Sequence, residues 1–139
     1  MTDLQKAKEL LQQSDNTCVL CRDQQLYTSD RRGVAPLLGW LDQGIDVAGF
    51  CAADRVVGKA TAFLYCLLGI SAVHALVMSR PAAQVLEEAG IAASYDTLVD
   101  GIQNRQKNGP CPMEHATRNC TEPQAALAAI RQTLLQLTK

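Results

Sequence analysis

Cys111 stands between Pro110 and Pro112, just ahead of a predicted short helix. Prolines on both sides fix the backbone. A helix N-terminus lowers a thiol pKa, and the thiolate is the form that attacks. Arg105 and Lys107 in the preceding loop push the same way. Glu114, three residues on, is placed either to move a proton or to cap that helix. Asp54 and Ser79 each follow a predicted buried strand and precede a predicted helix. Both types cap helices, and in open α/β sheets ligands bind at the carboxyl ends of the strands. Two helix N-termini converging there favour an anion. Arg55 and Arg80 flank the two candidate caps. Lys59 is the only charge between them, on an apolar helix. It reads either as a snorkelling lysine or as a cation that reaches the cleft. Gly58 beside it lets backbone or ligand come close.

The other reactive side chains carry weaker patterns. Cys18 and Cys21 form a Cys-x-x-Cys string, but on a strand residues three apart face opposite ways. The paired knuckle spacing of a zinc site is absent from Cys18, Cys21, Cys111, His115 and Cys120, so neither a metal nor any other cofactor is expected. His74 lies inside an apolar run and reads as a hydrogen-bonded core histidine. Ser71 and Thr61 have no triad context.

The bulk composition limits what such a site could serve. The chain has 139 residues, 47% hydrophobic and 19% charged, which suits one domain with a real core. The organisation expected is a single domain over 1–139 with its core at about 16–137. The net charge is −1 and the pI about 6.1, so no basic excess exists to bind nucleic acid. The polar N-terminus lacks an apolar signal core. The apolar stretch Val56–Ser79 is broken by Gly58, Thr61, Gly69, Ser71 and His74, which argues against a membrane span. Without a secretory signal the six cysteines are expected to be reduced in the cytoplasm. A homodimer is expected, because two-fold association is the commonest outcome for such domains.

The elements that must position these residues can be read in order. Thr2 opens a helix with Leu4, Ala7, Leu10 and Leu11 on one stripe. Thr17–Arg22 and Gln25–Ser29 are strands joined by a tight turn. A helix over Val34–Gln43 stops at Gly44. Val47–Ala53 is a buried strand, Asp54 the N-cap of a helix to Leu68, and Gly69 with Ile70 its stop. Ala72–Met78 is the next strand. Ser79 caps a helix that ends at Gly90–Ile91, and a further strand runs to about Asp96. Thr97–Arg105 is predicted helical, Pro112–Asn119 a short helix, and Thr121–Gln124 a capping-box start for a last helix carrying Leu127, Ile130, Leu134 and Leu137. Right-handed crossovers make the central strands parallel. The predicted architecture is a three-layer α/β/α fold with a five-stranded mixed sheet.

A hairpin followed by a βαβαβ unit resembles the cytidine-deaminase-like fold. Ala52-Ala53-Asp54-Arg55 resembles the zinc members' first motif, and Pro81-Ala82-Ala83-Gln84-Val85 their second. The resemblance implies ligand positions at Ala52, Ala82 and Val85, none of which can bind a metal. It puts Asp54 in the place of the acid/base glutamate. The chain is therefore not expected to be a zinc-dependent deaminase. A closer resemblance, over about Asn16–Leu137, is to an uncharacterised bacterial family grouped with that superfamily. It rests on Asp54-Arg55-Val56-Val57-Gly58-Lys59-Ala60 and Gly109-Pro110-Cys111-Pro112-Met113-Glu114, and it implies a fold but no activity. The leading expectation is a small-molecule-binding domain for an anionic or nucleotide-like ligand, lined by Asp54, Lys59, Ser79 and Arg80 with Arg55 and Gly58 beside them. The alternatives are a metal-free enzyme with Cys111 as nucleophile and Asp54 or Glu114 as acid/base, and a non-catalytic interaction subunit.

Overall fold

The computed structural model describes residues 1–104, 106–107, 109 and 111–137. Helix α1 (Asp3–Gln12) leads into the hairpin β1 (Cys18–Arg22) and β2 (Gln25–Ser29), then α2 (Ala35–Gln43). The centre alternates β3 (Cys51–Val57), α3 (Lys59–Leu68), β4 (Ala72–Ser79), α4 (Arg80–Glu88) and β5 (Ala92–Val99). Helices α5 (Pro112–Thr117) and α6 (Pro123–Leu137) close the described chain. The sheet order is β2-β1-β3-β4-β5. The pairs β1–β2 and β1–β3 are antiparallel, whereas β3–β4 and β4–β5 are parallel. This is the five-stranded mixed sheet that the alternation of apolar runs predicts.

Strand β1 shows why the sheet is covered on both sides. All of Cys18, Val19, Leu20 and Cys21 are buried. With a two-residue side-chain period, Val19 and Cys21 join Ala53 against Ala7 and Leu11 of α1. Cys18 and Leu20 face the opposite way, into the larger core with Leu37, Trp40, Leu64 and Tyr65. Helix α1 packs on β1, β3 and β4, and α3 touches α2, α4, α5 and α6 in the other layer. The layers are thus unequal: one helix on one face, the remaining described helices on the other.

Two predicted boundaries are corrected. Strand β3 starts at Cys51, not Val47, and runs through Asp54 to Val57. Val47–Phe50 is a turn instead, closed by Phe50 N–H to Val47 O at 3.1 Å, with Gly49 in the left-handed region at φ 82°. Asp54 is therefore mid-strand, paired with Cys18 across β1 and with Ala75 across β4, and is no helix cap. The resemblance of Ala52–Arg55 to a helix-opening motif fails for the same reason. Thr97–Val99 is not helical but finishes β5, paired out to Val99↔Ser79. A ready partner strand decides the state of a short segment whose own propensity is ambiguous. The far end of that predicted helix, Arg105, lies outside the described residues, as does Pro110.

Candidate functional site

The site is a cavity of about 740 Å³ at the carboxyl end of β3. Its walls come from the start of β1, the Asp30–Pro36 segment, the first turn of α3, Ile102–Gln103 and the start of α5. Asp54 sits in this cavity, 7% exposed. The Tyr65 hydroxyl donates to Asp54 Oδ2 at 2.6 Å, and Cys18 Sγ lies 3.1 Å from the same hydroxyl oxygen. The Val56 N–H donates to Asp54 Oδ1 at 3.3 Å. Burial pushes the Asp54 carboxyl up to about 6, and these hydrogen bonds hold back a larger rise. Burial, then the Asp54 charge, raises the Cys18 thiol and the Tyr65 phenol well above their ordinary values. The two neighbours keep their protons, so Asp54 is the member that titrates near neutral pH. A carboxyl so placed can accept or release a proton at a group bound in the cavity.

Arg55 turns the other way. Its guanidinium donates to the carbonyls of Asn16, Leu11 and Ser14 at 2.8, 3.2 and 2.9 Å, tying β3 to the end of α1. This explains how a charged residue sits inside a covered strand: its donors are spent on backbone oxygens.

Gly58, Glu114 and Cys111 form the wall opposite. The Lys59 N–H donates to Glu114 Oε1 at 2.6 Å, and the Ala60 N–H also bonds this carboxylate. Glu114 thus closes the N-terminus of α3 from the first turn of α5, rather than capping α5 itself. Burial raises its pKa, and the Lys59 and Ala60 N–H groups oppose that rise. A Cβ on Gly58 would lie 1.7 Å from Glu114 Oε1, so glycine there is required by space and not by backbone angle. An incoming anion would find the α3 N-terminus already taken. Cys111 precedes α5, donates its N–H to Ile102 O at 3.0 Å, and lines the cavity half-buried.

Lys59, Ser79 and Arg80 are placed elsewhere, which corrects the predicted cleft. The Lys59 ammonium donates to Arg118 O at 2.8 Å and lies 5.8 Å from the centre of the Phe63 ring. It lines a separate groove between α3 and α4. Ser79 is fully buried and caps α4 by accepting from Ala82 N–H at 3.2 Å. Arg80 is exposed and pairs with Asp100 at 2.9 Å. Tyr65, Ile102, Gln103 and the Asp30–Pro36 segment are site residues that sequence reasoning missed, and Thr61, set aside for want of a triad, lines the same cavity. Only Tyr65 carried a signal, as the polar tip on an otherwise apolar stretch of helix. Among the described residues, no group of three or more His, Cys, Asp or Glu could hold a metal ion. Among the same residues, no helix is long and apolar enough to cross a membrane.

Fold and cavity together define a single-sheet α/β domain with a buried carboxyl in the middle of its central strand. A family model described as TM1506, domain of unknown function (DUF1893), matches residues 6–134, and the chain belongs to that family. The crystal structure of a DUF1893 family protein (TM1506) from Thermotoga maritima superposes with a TM-score of 0.86 at 22% identity, covering 95% of this chain and 90% of that one. That likeness establishes the fold. No curated protein matches this chain.

Proposed function

We propose that the chain is a small-molecule-binding domain whose site is the Asp54 cavity. The observation that carries this reading is the nearly buried Asp54 carboxyl, bonded to Tyr65 at 2.6 Å yet opening on a cavity of about 740 Å³. That volume lies in the usual range of ligand sites. A carboxyl held in a costly place and aimed at a cavity is what a binding or proton-transferring site requires. The β2-β1-β3-β4-β5 order, with only β1 antiparallel to the other four strands, supports placing the domain with the cytidine-deaminase-like superfamily. Helix α3 opens on Gly58, Lys59 and Ala60 where that superfamily's zinc members carry a ligand and a glutamate, so the reading does not extend to zinc-dependent deamination. One test is mass spectrometry of denatured protein for a co-purified molecule, joined to thermal melts across a panel of small metabolites. Asp54→Asn should remove the ligand-induced rise in melting temperature; an unchanged rise would refute the assignment.

A second reading, a nucleophilic Cys111, is favoured by one observation: this half-buried thiol lines the same cavity as Asp54. It predicts that brief iodoacetamide treatment modifies Cys111 before the other five cysteines. Prior modification of Cys51, Cys66 or Cys120 would remove it.

A further inference from the structure

Beside the Asp54 cavity lies a second chamber of about 710 Å³. Its walls are largely apolar, with Val34, Leu38, Met113, Leu134 and Leu137 among them. Leu137 is 58% exposed. The two cavities are not independent. Arg32, Gly33, Val34, Gln103, Cys111 and Met113 line both, so the two cavities adjoin along these residues.

The charges at the two ends differ. The Arg55 guanidinium turns away from the deep end and is spent on three backbone carbonyls. Glu114 is committed to the first turn of α3. What remains facing the space is the Asp54 carboxyl, an acceptor. Around the mouth, exposed Asp15 and Asp30 stand against exposed Arg32, so among the described residues no cationic patch awaits an anion there. In the second chamber Asp42 is already paired with Arg131 at 2.8 Å, and exposed Arg31 and Arg32 stand beside the aliphatic walls.

From this arrangement we infer that the natural occupant is one two-part molecule: a compact cationic head at Asp54, joined to an apolar body in the second chamber. The inference rests on the binding role proposed for the Asp54 cavity and adds the chemical class of the ligand. The donors that reach Asp54 from the protein, the Tyr65 hydroxyl, the Cys18 thiol and the Val56 and Arg55 N–H groups, are all neutral, so an amidinium or ammonium head adds the charge-assisted hydrogen bonds they lack. An aliphatic or aromatic body gains by leaving water against Leu38, Met113 and Leu134. Neither half explains the shared wall by itself.

Calorimetric titration of the full chain with three probes tests this. Benzamidine supplies the head alone, 4-butylbenzamidine the head and body, and 4-butylbenzyl alcohol a body with a neutral head. The joined probe should bind about tenfold or more tighter than benzamidine, because its butyl carbons are buried. Leu137→Gln, at an exposed position that folding tolerates, should shrink that advantage and leave benzamidine affinity unchanged. The isosteric Asp54→Asn should weaken both amidines about tenfold or more. Equal affinities for the two amidines in the unaltered protein would overturn the two-part ligand while leaving the cavity reading standing. The alcohol matching the joined amidine would overturn the cationic head. No binding by any probe at about 1 mM would overturn the site assignment beneath both.

Discussion

Asp54 is where residue-scale chemistry and stability conflict. Its carboxyl rises from 3.8 to about 6 mainly through burial, so ionising it in the folded chain costs roughly 2–3 kcal/mol at most. Between pH 4 and about 6 the folded protein holds a proton that the unfolded chain has released. Stability from this group therefore falls as pH rises through that window and levels off above it. Asp54→Asn keeps an acceptor for Tyr65 and removes the charge. Urea unfolding should show the variant more stable by about 1–2 kcal/mol at pH 7.5, with the gain shrinking toward zero near pH 4. The same variant should lose ligand response. Stability rising while binding falls is the expected trade-off at a functional residue. A merely structural aspartate would show no loss of ligand response.

At the scale of elements, the junction of α3 with α5 is the feature that sequence reading saw in pieces. Gly58, Lys59 and Glu114 each stood out, but Lys59 drew notice for its ammonium, whereas its main-chain N–H makes the bond to Glu114. Glu114→Ala leaves two N–H groups of α3 without their acceptor and should cost about 1–2 kcal/mol. Gly58→Ala should cost about the same, because the new methyl group displaces the Glu114 carboxylate from its bonds. The two losses are one event. The double variant should thus be destabilised about as much as either single one, and a double-mutant cycle by thermal or urea unfolding measures the shortfall. Full additivity would show that the methyl group finds room without moving Glu114.

For the whole molecule, legibility followed locality. The helix stops at Gly44, Gly69 and Gly90 were readable because each is a local signal: a left-handed glycine, then a residue whose N–H returns to the last turn, as Ile70 to Tyr65 at 3.3 Å and Ile91 to Leu86 at 2.9 Å. The extent of β3 was not readable. Asp54-Arg55 after an apolar run looks like a helix start, and only the carbonyls of Leu11, Ser14 and Asn16 make Arg55 acceptable in a strand. Tyr65 was missed as a site residue because its partners, Cys18 and Asp54, arrive from two different strands. The last helix belongs to the same long-range category. Helix α6 packs on α3 and α5, and its Ile130 is fully buried in the main core. Truncation after residue 121 should abolish the cooperative thermal transition, read by circular dichroism, since α3 would lose a covering layer.

The α3–α5 bond also has a consequence for the protein's synthesis. Lys59 waits for an acceptor 55 positions further along the chain. At a translation rate of about 5–20 residues per second, that separation means roughly 3–10 s in which α3 has emerged but its partner has not. During that interval the hairpin and the first parallel strands can assemble, but the wall carrying Cys111 and Glu114 does not yet exist. The pocket is therefore completed only after the whole sheet has been made. A nascent chain whose translation stalls before residue 111 would hold most of the sheet, and none of the ability to close around a ligand.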